Sequence, residues 1–239
     1  MSRAKKKKVE RKPTVVRDVA RKSGISSGFR FEFLNSAQRA AWGAFDKHDV
    51  LFLLGPAGTG KTQLACAFAM SEILAKKREK IVLTRPVVEA GESLGFLPGT
   101  MEEKLNPYMM PMYDCIDMCI GKDSVERDII NKSIEIAPIA YCRGRTFQES
   151  ICIFDEAQNA TKTQLKLFMT RFGKNSKLII TGDPEQSDIR DGNTTLLEVA
   201  NKMEELPGVG VIRFKACSIV RHPLIAGILE KFEEMNVRK

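Results

Sequence analysis

The chain contains no run of eighteen or more apolar residues, so it offers no membrane-spanning helix. Its opening residues, Met1-Ser2-Arg3-Ala4-Lys5-Lys6-Lys7-Lys8, lack the apolar stretch of a secretory signal. Cysteine is sparse: the six residues at 66, 115, 119, 142, 152 and 217 are scattered and give no disulfide framework. Cys115 and Cys119 would share a helix face, but no second Cys or His pair lies nearby to complete a zinc site. Cys66 and Cys152 fall in apolar runs and read as small core residues, a usage expected of a reducing cytoplasm. Internal repeats are absent. So are the clustered carboxylates that a two-metal nuclease would require.

Outside its N-terminal arm the chain also lacks any charge excess. Residues 1–22 carry ten Lys/Arg and two acids, while the other 28 Lys/Arg and 28 Asp/Glu cancel. The whole formal charge of +8 therefore sits in the arm, Lys5, Lys6, Lys7 and Lys8 included. Such a tail is solvated, and it can neutralise phosphates without sequence preference, so nucleic acid (RNA or DNA) or another acidic partner is expected.

What is present begins with Gly55-Pro56-Ala57-Gly58-Thr59-Gly60-Lys61-Thr62. An apolar run, Val50–Leu54, precedes it and reads as a buried strand. The Ala/Leu-rich segment 63–74 follows and reads as a helix. Strand, glycine loop with Gly-Lys-Thr, then helix is the context of a phosphate-binding P-loop. The glycines let backbone N–H groups turn inward, and the helix N-terminus adds partial positive charge. Lys61 would reach the outer phosphates of ATP, and the Thr62 hydroxyl would hold Mg²⁺.

The remaining pattern alternates strands and helices. After the linker ending at residue 28, Phe29–Leu34 reads as a short strand or extended docking segment. Asn35-Ser36-Ala37-Gln38 opens a helix through Trp42 and Phe45. Runs at 81–84, 134–139, 151–154 and 178–181 read as strands, and 161–170, 192–203 and 223–235 as helices. Residues 87–133 read as an insertion, helical over 101–120 but interrupted at Pro107 and Pro111. The methionines there (109, 110, 112 and 118) read as gap-filling core, or as an adaptable contact surface. The expected fold is α/β, with a mainly parallel central sheet covered on both faces, in one domain over residues 29–239.

Ile151-Cys152-Ile153-Phe154-Asp155-Glu156 puts two carboxylates at a strand end, where parallel sheets bind ligands. Asp155 there can hold Mg²⁺, and Glu156 can orient and deprotonate a water for attack on the γ-phosphate. Gly182-Asp183-Pro184-Glu185-Gln186 follows the next strand, and Gln186 can report which nucleotide is bound. Arg85, Arg143, Arg145 and Arg221 could each neutralise phosphate charge, or be surface residues or structural ion pairs.

Asn35-x-x-Gln38, Thr84-Arg85-Pro86, Asp155-Glu156-Ala157-Gln158 and Gly182-Asp183-Pro184-Glu185-Gln186 together resemble the first motor domain of superfamily 1 helicases. More closely, Arg143-Gly144-Arg145-Thr146-Phe147, the run through Asn159 and Val220-Arg221-His222-Pro223 resemble the PhoH-like ATPases of bacteria and their phages, over roughly residues 30–235. The resemblance implies a three-layer RecA-like P-loop NTPase, cytoplasmic and associated with RNA. It implies that Gln38 reads the adenine edge, that Arg85 lies near the nucleic-acid path or phosphate side, and that Arg221 is an arginine finger. With one motor domain, Arg221 must fold back or come from a neighbour, so a homo-oligomer is expected, in the form of a hexameric ring. The expected activity is Mg²⁺-dependent ATP hydrolysis coupled to single-stranded RNA, helicase-like. The alternative is a nucleotide-switched RNA-binding scaffold with incidental hydrolysis.

Overall fold

In the computed structural model the described residues are 29–86, 101–120, 125–186 and 195–215. Six strands, β1 (Val50–Leu54), β2 (Lys80–Thr84), β3 (Ile134–Ile136), β4 (Ser150–Phe154), β5 (Lys177–Gly182) and β6 (Val209–Arg213), form one sheet in the order β3-β2-β4-β5-β1-β6. Every pairing is parallel. The expected α/β architecture is therefore present. β6, whose alternating Val209-Gly210-Val211-Ile212 is short and half-buried, was not foreseen as a strand.

Alternation along the strands splits the core into two layers. Leu51, Leu53, Ile81, Leu83, Ile151, Ile153 and Ile179 face one side, with α1 (Ser36–Lys47), α2 (Lys61–Leu74) and α3 (Met101–Cys119). Val50, Phe52, Leu54, Val82, Cys152, Phe154, Leu178 and Ile180 face the other, with α5 (Lys162–Met169) and α6 (Thr195–Met203). Each strand residue thus buries its side chain on one of two faces, which is why these strands read as continuous apolar runs. The three-layer, RecA-like arrangement expected from the resemblance is the one observed.

α1 begins where expected, with the Asn35 side chain accepting from Gln38 N at 2.9 Å. Phe31 and Phe33, extended ahead of it, stack on and edge against Trp42, which meets Phe68 of α2. α5 is closed by a capping box between Thr161 and Gln164. Segment 134–139 is a strand only as far as Ile136 and then turns into a 3₁₀ helix, Ile139–Cys142.

The helix over 101–120 differs from expectation. α3 runs unbroken through Pro107 and Pro111. Proline removes one ladder bond and strains the turn before it. Here Met109, Met112, Ile116 and Cys119 are all buried, and they bind α3 along α2 strongly enough to hold the helix together. The methionines divide: Met109 and Met112 are core, whereas Met110 and Met118 are exposed. α4 (Val125–Ser133) follows, tied to α3 by an Arg127–Asp117 ion pair. The N-terminal arm, segment 87–100 and the helix expected at 223–235 lie outside the described residues.

Candidate nucleotide-binding site

Register places the chemistry. Leu54 is opposite Gly182 on one side and Arg213 on the other, and Thr84 is opposite Phe154. β1 and β5 therefore end level with each other, β2 and β4 end two residues lower, since Phe154 pairs with Ile180, and the residues that follow these four strands share one edge of the sheet. These are Gly55, Arg85, Asp155 and Asp183. β5 lies between β1 and β4, so the glycine loop and the carboxylate strand stand two strand spacings apart, roughly 9–10 Å. That gap is where a polyphosphate can enter.

The loop adopts a conformation only glycine tolerates. Gly55, Gly58 and Gly60 have φ of 143°, 82° and 81°. A Cβ on Gly55 would lie 2.4 Å from the carbonyl oxygen of Phe214, and one on Gly60 would lie 2.7 Å from Gln38 Nε2. Gly60 is also the N-cap of α2, and no side chain caps that helix end. Its first-turn amides and dipole thus face the cavity, the arrangement that attracts phosphate. Lys61 Nζ donates to the carbonyls of Gly55 and Pro56, at 2.6 and 2.9 Å. Thr59 is buried and donates its hydroxyl to Pro56 O, so it shapes the loop from within.

The cavity has a volume of about 230 Å³. It is lined by Ala57, Gly58, Gly60, Lys61, Thr62 and Gln63 on one side and Asp155, Glu156, Thr181 and Gly182 on the other, with Cys115 of α3 closing a wall. Whole-ligand pockets run to roughly 300–1,000 Å³, so this one matches a phosphate tail better than a complete nucleotide.

Asp155 is the pivot. It is buried, and its Oδ1 accepts from Thr62 Oγ1 at 2.8 Å and from the Thr181 hydroxyl. Burial pushes its carboxyl above the usual carboxylate range, with the neighbouring Glu156 charge adding to that. Thr181, Arg85 and Thr62 pull the other way. Thr62 and Asp155 thus present two hard oxygen donors side by side, the donor chemistry that Mg²⁺ takes alongside phosphate oxygens and water. Among the described residues there is no cluster of three or more His, Cys, Asp or Glu suited to hold a metal alone.

Glu156 follows in a left-handed conformation at φ 52°, a strain that a non-glycine residue accepts where its side chain must be aimed. Its two oxygens are both engaged, one by Arg85 at 3.3 Å and one by Gln158 Nε2 at 2.6 Å. Arg85 also donates to Tyr108 O of α3, at 3.1 Å. Arg85 thus sits beside Glu156, one of the residues that line the cavity.

Sequence reasoning missed three members of this network. Thr181 was visible only as the last residue of an apolar run. Gln158 was quoted within a motif without a role. Its Oε1 accepts from Asp183 N at 3.0 Å while its Nε2 holds Glu156. Asp183, read as turn chemistry, is buried and accepts from Ala57 N of the glycine loop at 3.2 Å. Their signal was a polar residue at or just after each strand end.

Gln38, the residue that the resemblance gives to the adenine edge, sits behind the glycine loop. It is buried at 1% exposure, accepts from Leu34 N at 2.8 Å and donates to Thr59 O at 3.1 Å. With both ends of its amide bonded inside the protein, it braces the glycine loop from behind. Gln186 is exposed in the turn after β5 and does not line the cavity. Arg143 and Arg145 are also away from the cavity, with Arg145 paired to Glu135 and lying 4.8 Å over the Phe147 ring. Arg221 and Lys5, Lys6, Lys7 and Lys8 lie outside the described residues.

Comparison with known proteins agrees with this geometry. The family model described as PhoH-like protein matches residues 31–233. The chain belongs to the PhoH-like family. It is 43% identical to a PhoH-like protein of Bacillus subtilis over 98% of its own length and 73% of that relative's. A PhoH-like protein of Synechocystis is 43% identical, with 82% of this chain and 60% of the relative covered. Protein PhoH of Escherichia coli is 40% identical over 83% of this chain and 57% of its own length. The chain thus spans between just over half and about three quarters of these PhoH-like relatives. PhoH-like proteins form a P-loop NTPase family, and the glycine loop and parallel sheet above are consistent with that membership. No described helix is long and apolar enough to cross a membrane.

Proposed function

We propose that this PhoH-like protein binds ATP with Mg²⁺ and hydrolyses it, coupled to single-stranded RNA. One observation carries the reading: Thr62 of the glycine loop and Asp155 of a strand 93 residues later are bonded at 2.8 Å, in one cavity with Lys61 and Glu156. The loop amides and Lys61 bind the β- and γ-phosphates. Thr62 and Asp155 would hold Mg²⁺, whose charge offsets that building up on the phosphate oxygens. Glu156 orients a water and accepts its proton, and Arg85 beside it supplies positive charge near the reacting phosphate.

Lys61→Ala is expected to abolish ATP binding, and Glu156→Gln to keep binding and stop turnover. Wild-type turnover in Glu156→Gln removes the assigned base. Tight ATP binding in Lys61→Ala removes the site itself.

A second reading rests on a specific contact. Both Glu156 oxygens are held in contacts within the protein, by Arg85 and by Gln158. A nucleotide-switched RNA-binding scaffold would need no more than that resting state. ATPase rates with and without single-stranded RNA, on the full chain and on a chain lacking residues 1–22, separate the two. A motor is stimulated by RNA. The stimulation should depend on the basic arm and weaken with salt. The homo-oligomeric, hexameric assembly proposed for Arg221 to act between subunits is tested by light scattering: a fully active monomer ends it.

A further inference from the structure

One wall of the cavity carries thiols that the nucleotide chemistry does not use. Cys66 lies on α2 one turn beyond Thr62, buried at 1% exposure, with its sulfur turned toward α3 and 3.9 Å from Met112 O. Cys115 stands on α3 three residues after Met112 and lines the cavity with Lys61, Thr62 and Glu156. It is only partly buried. The two thiols lie within interaction range of each other across the seam between α2 and α3. Cys119, one turn further along α3, is buried and faces the same core.

We propose that Cys115 and Cys66 form a peroxide-reactive thiol–disulfide pair built into the wall of the nucleotide cavity, Cys115 as the attacking sulfur and Cys66 as the resolving one. Access assigns the roles: the cavity opens onto Cys115, whereas Cys66 reaches solvent only past it. The interaction between the thiols works in the same direction, lowering the Cys115 thiol against the opposing effects of burial and the Asp155 and Asp114 charges, and raising Cys66. Burial, with the neighbouring Cys115 adding to it, pushes Cys119 to about 12 and keeps it out of the reaction.

The chemistry balances in two steps. The Cys115 thiolate attacks one oxygen of hydrogen peroxide, the O–O bond breaks, and hydroxide leaves, taking up a proton as water. Cys115 is oxidised to the sulfenic acid and peroxide is reduced. The Cys66 sulfur then attacks the Cys115 sulfur, the S–O bond breaks, and a second water carries off the oxygen with the Cys66 proton, leaving the disulfide. A thiol reductant reverses it by exchange. The product tethers α3 to the helix that carries Lys61 and Thr62. Resting on the nucleotide reading above, bound nucleotide covers Cys115, and the oxidised pair disfavours nucleotide entry.

The test uses the intact wild-type chain. Peroxide titration with non-reducing peptide mapping should yield a Cys66–Cys115 crosslink as the first product, lost on adding dithiothreitol. Cys66→Ser should stop at a sulfenic acid on Cys115, captured by dimedone. Cys115→Ser should leave Cys66 reduced at the same peroxide dose. Oxidation of other cysteines before Cys115, or of Cys66 at an unchanged rate in Cys115→Ser, overturns the pair. The wild-type map decides the matter even where a variant folds poorly.

A second arm measures alkylation of Cys115 by N-ethylmaleimide. With ATP at about 100 times its Kd, the rate should fall about 100-fold, because only free protein reacts. A crosslink without ATP protection keeps the thiol pair and refutes nucleotide at this wall. Protection without a crosslink keeps the nucleotide site and refutes the pair.

Discussion

Gln158→Leu is the most informative single change, because one amide joins the two halves of the site. Gln158 Nε2 donates to Glu156 at 2.6 Å, and Gln158 Oε1 accepts from Asp183 N at 3.0 Å. Asp183 in turn accepts from Ala57 N in the glycine loop. Leucine nearly preserves the volume but strands the Asp183 N–H in a residue only 4% exposed. A buried donor left without a partner costs about 1–3 kcal/mol. The lost bond to Glu156 adds little to stability, since the Glu156 side chain is 36% exposed and water replaces it. With a urea m-value of about 2–3 kcal/mol/M, the midpoint should drop by roughly 0.3–1.5 M.

Turnover should fall further than stability, on the order of 10–100-fold, because Glu156 loses one of the two contacts that aim it. Gln158→Glu provides the contrast. Its carboxylate can still accept from Asp183 N but now faces Glu156 across a former hydrogen bond. That variant should be destabilised at pH 7 and recover as pH falls below about 5, where the two carboxylates share a proton. The leucine variant should show no such recovery. A leucine variant with the wild-type midpoint and wild-type ATPase rate would refute the assignment of Gln158 as the link.

Other consequences concern the same edge of the sheet. Burial raises the Asp155 pKa in the folded chain, so the folded state binds more protons than the unfolded one above the ordinary pKa of about 3.9. Its contribution to stability is therefore present in acid and lost as pH rises. Asp155→Asn should melt above wild type at pH 7, with the gain vanishing toward pH 4 by calorimetry, while Mg²⁺-dependent hydrolysis is lost. Thr181→Val removes a buried hydroxyl bond to Asp155 at constant volume and should cost about 1–3 kcal/mol in denaturant unfolding. Gly55→Ala should destabilise more than Gly144→Ala. Both have positive φ, but a Cβ at Gly55 meets backbone at 2.4 Å, whereas one at Gly144 meets nothing within 4 Å. Equal melting temperatures for those two variants would contradict the close approach of Phe214 to the loop.

The sequence alone determined the parts of this protein that depend on neighbours along the chain. The glycine loop between an apolar strand and an Ala/Leu-rich helix was legible because φ requirements, burial and helix propensity are written within one stretch, Val50 to Leu74. The Asp155-Glu156 pair was legible because a continuous apolar run ends there, and the layered α/β fold because such runs alternate with amphipathic segments. Tertiary structure decided everything that needs two distant segments at one place. It inserted β5 between β1 and β4, which brings Thr181 to Asp155 and Asp183 to Ala57. It set Gln38 as a brace behind the loop, bonded between Leu34 N and Thr59 O. It carried α3 through two prolines, since burying Met109, Met112 and Ile116 outweighed the lost ladder bonds, and so set Cys115 against Cys66. Pattern along a chain reports which face of an element is buried. Only packing reports what it is buried against.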